Sequence, residues 1–161
     1  MSWIGRSLPR LEDPSLLMGR GRYVADLARG AASVKFVRSP VAAGRILSID
    51  VPDGELVFTA ADLDGVKPIC PILHRPDYIA VVQPILAKDR VMFCGQALAV
   101  VVAEDQGLAE DLAEEVYADI DAEDAIVDME AALAEGAVAV HAHAPGNVLV
   151  EGVLRSPGLD A

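Results

Sequence analysis

Aromatic side chains are scarce in this chain: Phe, Tyr and Trp make up 4% of its 161 residues. A core must therefore be built from Val, Leu, Ile and Ala, which the 53% hydrophobic content supplies. Long apolar runs are also missing. The longest, Ala97 to Ala103, falls far short of the roughly 18–20 residues that cross a bilayer, so no transmembrane helix is predicted. The opening Met1-Ser2-Trp3-Ile4-Gly5-Arg6 lacks the apolar stretch of a secretory signal, which points to a cytosolic, cytoplasmic protein. Cysteine is limited to Cys70 and Cys94, without CxxC spacing. Both are read as reduced, buried small hydrophobes rather than as a disulfide or a metal site. Basic charge is short too: 13 Lys and Arg against 25 Asp and Glu leave a net charge of −12. That balance argues against nucleic-acid binding, which depends on cations neutralising phosphates.

The charge is unevenly placed. Residues 1–45 carry eight basic groups against three acidic ones, and the remainder carries five against 22. A basic leader thus precedes an acidic body, able to fold back on it or to dock on an acidic partner. The length predicts a single domain at about 100–200 residues per domain. Its parts are a basic irregular leader over 1–30, a folded body over 31–150, and a tail over 151–161 that should be disordered at its end.

The body is organised around Asp89 to Asp121. Ala97-Leu98-Ala99-Val100-Val101-Val102-Ala103, bounded by Gly95 and by Glu104-Asp105, has the pattern of a strand buried on both faces. The period then changes. Leu108, Leu112 and Val116, with Ala109, Ala113 and Tyr117 in the adjoining row, form one apolar stripe of a helix whose N-cap is Asp105. A strand to Asp121 completes a strand–helix–strand unit of βαβ size. If its strands share a sheet and run parallel, the crossover is right-handed.

Before this unit, Asp13-Pro14 to Gly19 predicts one helical turn capped by Asp13. Gly19-Arg20-Gly21-Arg22 neither follows a strand nor opens a long helix, so it reads as a solvated loop and not a phosphate cradle. Val34, Phe36 and Arg38 alternate with Ser33, Lys35 and Val37 as a strand; Arg45–Asp50 and Glu55–Thr59 follow, and antiparallel pairing of such short neighbours is expected. Ala60–Leu63 is one helical turn. Val66 to Pro84, with four prolines, is a surface loop. Its His74 and Arg75 have no nucleophile or acid cluster beside them. Beyond the unit, Asp128 caps a short helix stopped by Gly136, Val138–His141 and Val148–Val150 read as brief strands, and His141 and His143 would share one strand face. Two imidazoles without a third ligand do not make a zinc site. Glu114-Glu115 and Asp121 to Asp124 read as solvated faces, and no G-x-S-x-G, P-loop or HExxH motif is present. Physical reasoning alone thus gives a soluble acidic α+β domain with no catalytic or metal-binding constellation.

A series of short elements carries the reading further. Arg10-Leu11-Glu12-Asp13-Pro14, Gly19-Arg20-Gly21-Arg22-Tyr23-Val24-Ala25-Asp26, Phe36-Val37-Arg38-Ser39-Pro40 with Ala43-Gly44-Arg45-Ile46, Phe58-Thr59-Ala60-Ala61-Asp62-Leu63, Leu86-Ala87-Lys88-Asp89-Arg90-Val91, and Gly95-Gln96-Ala97 leading to Val102-Ala103-Glu104-Asp105 occur in this order. Ala109-Glu110-Asp111, Ile126-Val127-Asp128, Ala131-Ala132-Leu133 and His141 with Gly146-Asn147 continue it. The series resembles the start of the large, molybdenum-bearing subunit of the xanthine dehydrogenase, aldehyde oxidase and carbon monoxide dehydrogenase family. It corresponds to that family's α/β hammerhead domain. Val41-Ala42-Ala43 stand where members often have histidines, and Ala97 where they often have proline.

The resemblance implies an α+β, hammerhead-like mixed sheet with short helices. It also implies that molybdopterin cytosine dinucleotide and the general base belong to a partner polypeptide, no residue here being assigned to catalysis, cofactor or metal. The implied partners are molybdenum-binding and iron–sulfur or flavin polypeptides of a hydroxylase, with a homo-oligomer left open. Arg20, Arg22, Tyr23, Arg38, Gly95 and Gln96 carry family-like motifs without an obvious core role, and are the candidate interface positions. On this reading the chain is a free-standing structural or assembly part of an oxidoreductase. The alternative is a non-enzymatic binding module, or a truncated relic without a partner. Val100→Asp is expected to unfold the domain, and Gln96→Ala to leave the fold intact.

Overall fold

The computed structural model describes residues 4–28 and 30–153; the expected disordered tail end lies outside them. The chain divides into two compact units, Met1–Ala32 and Ser33–Ala161.

The first unit contains α1, Asp13–Leu17, and α2, Val24–Leu27. The predicted turn is present, but Glu12 and not Asp13 occupies the N-cap. The Asp13 carboxylate accepts from the backbone N–H and the Nε of Arg10 instead. In α2 the Asp26 carboxylate reaches back to the Tyr23 N–H at 2.9 Å, satisfying an otherwise open donor of the first turn.

The second unit is α+β. Its strands are β1 (Ser33–Arg38), β2 (Gly44–Asp50), β3 (Val57–Thr59), β4 (Arg90–Val91), β5 (Ala97–Ala103) and β6 (Tyr117–Ala122). Its helices are α3 (Gln106–Glu115) and α4 (Met129–Leu133), with 3-10 turns at Ala60–Asp62 and Pro145–Asn147. Two three-stranded sheets form, ordered β1-β5-β3 and β4-β2-β6. All described strand pairs are antiparallel.

The valine-rich run is indeed the centre of a sheet, and Asp105 caps α3 by accepting from the Leu108 N–H at 2.9 Å. The condition for a right-handed crossover, two parallel strands in one sheet, is not met. After α3 the chain enters the other sheet, so β5 and β6 never pair. Nor do sequence neighbours pair: β1 chooses β5, and β2 chooses β6. Burial accounts for the place of β5: the apolar strand sits between β1 and β3 with α3 over one face.

Two clusters form the core. In the first, Ala99, Val101 and Ala103 of β5 meet Ala109 and Leu112 of α3 and Val116 just beyond it. The alanines let the helix lie close to the sheet, and each buried Val or Leu contributes about 1.5–3 kcal/mol. Leu108, on the predicted stripe, is 39% exposed, and Tyr117 opens β6 instead of extending the helix. In the second cluster Leu98 meets Ala87 and Val91. Ile49 packs against both clusters. A register shift between Ile46 and Ser48 adds Leu47 as an extra residue, which lets Ile46 and Ile49 face the core despite their odd spacing.

Four further expectations are corrected. Cys70 and Cys94 are exposed thiols, not buried hydrophobes. Their sulfurs lie near backbone carbonyls, Cys70 at Pro68 and Cys94 at Ser39 and Pro40. Residues 138–141 and 148–150 form no strand; Asn147 holds this region by bonding the Val140 N–H and the Ala132 and Val138 carbonyls, which replaces a ladder by side-chain bonds. His141 and His143 consequently lie in a turn, their rings 5.9 Å apart. The strand expected over 55–59 is confined to Val57–Thr59.

Candidate functional site

The candidate site is a surface, and its geometry follows from strand alternation. Side chains at every second position share a face, and directly opposed residues of paired strands share it too. Phe36 of β1 and Phe58 of β3 are both opposite Val100 of β5, and Val34 is opposite Val102. Leu56 adjoins this row through its carbonyl, which accepts from the Val102 N–H at 2.9 Å. The opposite face, with Val37, Val57, Ala99 and Val101, is the one α3 covers. Lys35 spans from that side to Glu110 at 3.1 Å. Hydrogen bonds from Gln106 and Lys35 hold the Glu110 carboxyl below the usual range.

Among the described residues of the second unit, no helix covers the face of Phe36 and Phe58. Val34 is 55% exposed, Phe36 42% and Phe58 37%, and Val100 and Val102 are only half-buried. Nearer the loop end, Leu98 is closed over by Ala87 and Val91. The face is thus a short apolar strip of two phenylalanines and several aliphatic side chains, open to solvent.

Arg38 stands at its end. The guanidinium carbon lies 5.5 Å from the centroid of the Phe36 ring, within cation–π range. Its Nη1 donates to the Gly95 carbonyl at 2.9 Å. Gly95 in turn donates its N–H to the Ser39 carbonyl at 2.9 Å and adopts φ +86°, a conformation costly for a residue with a Cβ. The structure thus brings Arg38 and Gly95 together, though 57 residues separate them in sequence.

Gln96 does not join them at the surface. Its side chain is buried, 3% exposed, and its Oε1 accepts from the Met92 N–H at 2.7 Å. Its carbonyl accepts from the Ser39 N–H at 2.9 Å. Gln96 therefore has a role inside the chain, so Gln96→Ala should lower stability even where the fold stays intact. It closes the loop Met92–Gly95, on which Phe93 is 44% exposed. Arg20, Arg22 and Tyr23 lie exposed or nearly so in the first unit. Beside the loop, Arg90 forks onto the Glu123 carboxylate, with Nη1 2.9 Å from Oε1.

Other polar pairs do not assemble a reactive centre. Arg75 is engaged by Asp77, whose carboxyl its hydrogen bond holds below the usual range, and by the Glu151 carbonyl. His74 stands exposed. His143 contacts the Ala80 carbonyl at 3.1 Å. No cluster of three or more His, Cys, Asp or Glu residues forms among the described residues, and none of their helices is long and apolar enough to cross a membrane.

Sequence reasoning located Arg38 and Gly95 but missed the phenylalanine strip. The signal was there: Val34, Phe36 and Arg38 alternate, and Phe58 stands in a motif. What the sequence did not show was which face of β1 the helix covers.

Comparison with known proteins sets this surface in context. The family described as "Aldehyde oxidase and xanthine dehydrogenase, a/b hammerhead domain" matches residues 18–124. The nicotine 6-hydroxylase large subunit of Paenarthrobacter nicotinovorans is 34% identical over 157 residues, covering 92% of this chain and 19% of its own. The carbon monoxide dehydrogenase large chain of Afipia carboxidovorans is 37% identical over 132 residues, covering 78% and 16%. Among solved structures, quinoline 2-oxidoreductase from Pseudomonas putida 86 superposes with a TM-score of 0.78 at 37% identity, over 91% of this chain and 20% of that one. The aldehyde oxidoreductase of Desulfovibrio gigas gives 0.73 at 27%, over 83% and 16%. The chain therefore spans about a fifth of the length of the relatives it matches. With sequence match and structural superposition in agreement, the chain belongs to the aldehyde oxidase and xanthine dehydrogenase family of molybdenum hydroxylases, as its α/β hammerhead domain.

Proposed function

We propose that this domain is a structural and docking part of a molybdenum hydroxylase, non-catalytic by itself, and that it joins the rest of the large subunit through the open face of the β1-β5-β3 sheet. The observation that carries this is the uncovered Val34, Phe36, Phe58 strip beside Val100. A sheet with one face covered by a helix and an exposed aromatic row on the other has the composition of a buried interface. Arg38, steered by Gly95 and Phe36, supplies a polar anchor at its edge. That the relatives are subunits about five times longer supports a docking role.

The cofactor expected in such an enzyme, molybdopterin cytosine dinucleotide, is assigned to the portion outside this chain, with iron–sulfur or flavin polypeptides as further partners. In keeping with that assignment, no buried side-chain nitrogen or oxygen among the described residues is left without a hydrogen-bond partner to mark a ligand site.

The test is assembly. A tagged chain should retain the remaining large subunit through purification, and Phe36→Ser/Phe58→Ser should release it while circular dichroism stays unchanged. Retention undiminished in that variant would refute the docking face.

A further inference from the structure

The first unit has defined local structure but, among the described residues, no core. Arg10 clips onto Asp13 at 2.9 Å, Asp26 caps α2, and Gly21 lets the loop lie against Leu16, whose Cδ2 would be 2.7 Å from any Cβ there. Yet no described residue of this unit is buried. Leu11 is 99% exposed, Leu17 87% and Val24 82%. Helices of five and four residues have no stability of their own in water, since nucleation outweighs the few bonds formed.

The charges are equally unspent. Asp13 is taken by Arg10 and Asp26 by the Tyr23 N–H. Among the described residues, Arg20 has only the Met18 sulfur beside its Nη2, at 3.3 Å. Two exposed arginines, a tyrosine and a row of aliphatic side chains are therefore offered together on a backbone set by local bonds. Such a segment is stabilised by covering its apolar side chains and supplying carboxylates to its arginines.

We infer that residues 8–27 are a docking arm that seats on the portion of the hydroxylase large subunit lying outside this domain, on an apolar surface edged by carboxylates that pair with Arg20 and Arg22. The occupant follows from two facts. About four-fifths of each matched relative lies outside the region this chain covers, and the arm's exposed cations select an acidic rim. The inference rests on the docking role proposed above and adds a second contact to it.

Hydroxyl-radical footprinting of the 161-residue chain and of the complete hydroxylase tests both contacts in one experiment. Phe36 and Phe58 report on the sheet face; Met18 and Tyr23 report on the arm. Both pairs should lose labelling on assembly. In the complete enzyme, Arg20→Glu/Arg22→Glu should restore labelling of Met18 and Tyr23 alone, and high salt, which screens the ion pairs, should raise labelling of the same two residues in the unmodified enzyme. Two rim ion pairs at up to about fivefold each correspond to up to about 25-fold in arm occupancy. Protection of Phe36 and Phe58 with Met18 and Tyr23 still labelled would overturn the arm and spare the sheet face. Labelling of all four would overturn both. Protection of Met18 and Tyr23 already present in the 161-residue chain would overturn the inference: if it rose with concentration the occupant is a second copy, and if not, the acidic body of the same chain.

Discussion

Val100 and Val101 are sequence neighbours in the central strand, and aspartate at each should give opposite results. Val101 is completely buried in the cluster under α3. Replacing it removes about 1.5–3 kcal/mol of apolar burial and places a carboxylate among Ala99, Leu112 and Val116 with no partner. Staying charged there, or shifting its pKa to become neutral, costs several kcal/mol more. Of the eleven buried hydrophobic residues described, five are alanine, so stability should sit near the lower end of the roughly 5–15 kcal/mol usual for domains. Val101→Asp therefore unfolds the second unit. At half-buried Val100, on the open face, the carboxylate keeps contact with water. The cost falls to about 1 kcal/mol of lost burial plus a strand-propensity penalty of under about 1 kcal/mol. Val100→Asp thus stays folded in the 161-residue chain, and the unfolding expected of it from the sequence belongs to Val101. Urea titration followed by far-ultraviolet circular dichroism checks the pair. A cooperative, near-native transition for Val101→Asp, or an unfolded Val100→Asp, would refute this division of the strand into a covered and an open face.

Three further outcomes follow from single positions. Gln96→Leu leaves the Met92 N–H without its acceptor, and urea titration should read a loss of about 1–3 kcal/mol. Gly44→Ala puts a Cβ 2.8 Å from both the Asp121 carbonyl oxygen and Ile120 Cγ2, so overpacking should cost about 1–3 kcal/mol, visible as a lower Tm. His141 is held below its usual pKa of 6.5, first by burial and then by His143. A depressed value means the unfolded chain binds the proton more readily. His141's contribution is therefore complete above about pH 6.5 and is lost as pH falls through the folded-state value. Tm measured from pH 7.5 to 5.5 should fall less in His141→Gln than in the parent chain.

Much of the fold was legible because local rules and burial agree along Asp89–Asp121. The valine run, the Asp105 cap and the apolar stripe each predict the same elements, and Asp128 caps α4 by accepting from the Ala131 N–H as its position before an apolar run implies. Pairing was not legible. Period-2 patterns identify strands but not their neighbours, and β2 joins β6 across more than 60 residues. The strands expected near Val138 and Val148 failed for another reason. Short apolar triplets look like strands, yet here Asn147 satisfies backbone groups 7, 9 and 15 residues before it, an arrangement that leaves no mark on composition. The candidate site divides the same way. Arg38 and Gly95 stood out as motif residues, whereas Gln96, in the same motif, faces inward because the loop it closes needs an acceptor.

The open sheet face and the small core are two aspects of one design. An α3 that contributes only Ala109 and Leu112 to the buried cluster covers a single face, and the alanines of β5 keep that layer thin. Packing a second layer on Phe36 and Phe58 would complete the usual arrangement of layers about a sheet. Domain stability then becomes linked to assembly. A partner that binds only the folded state adds RT ln(1 + [L]/Kd), about 2.7 kcal/mol at a hundredfold excess over Kd, which is comparable to the whole contribution of one buried valine. The domain alone should accordingly melt below the same domain in its complete hydroxylase, and Phe36→Ser/Phe58→Ser should shrink that difference, while lowering the melting point of the 161-residue chain only by the partial burial that the two rings lose.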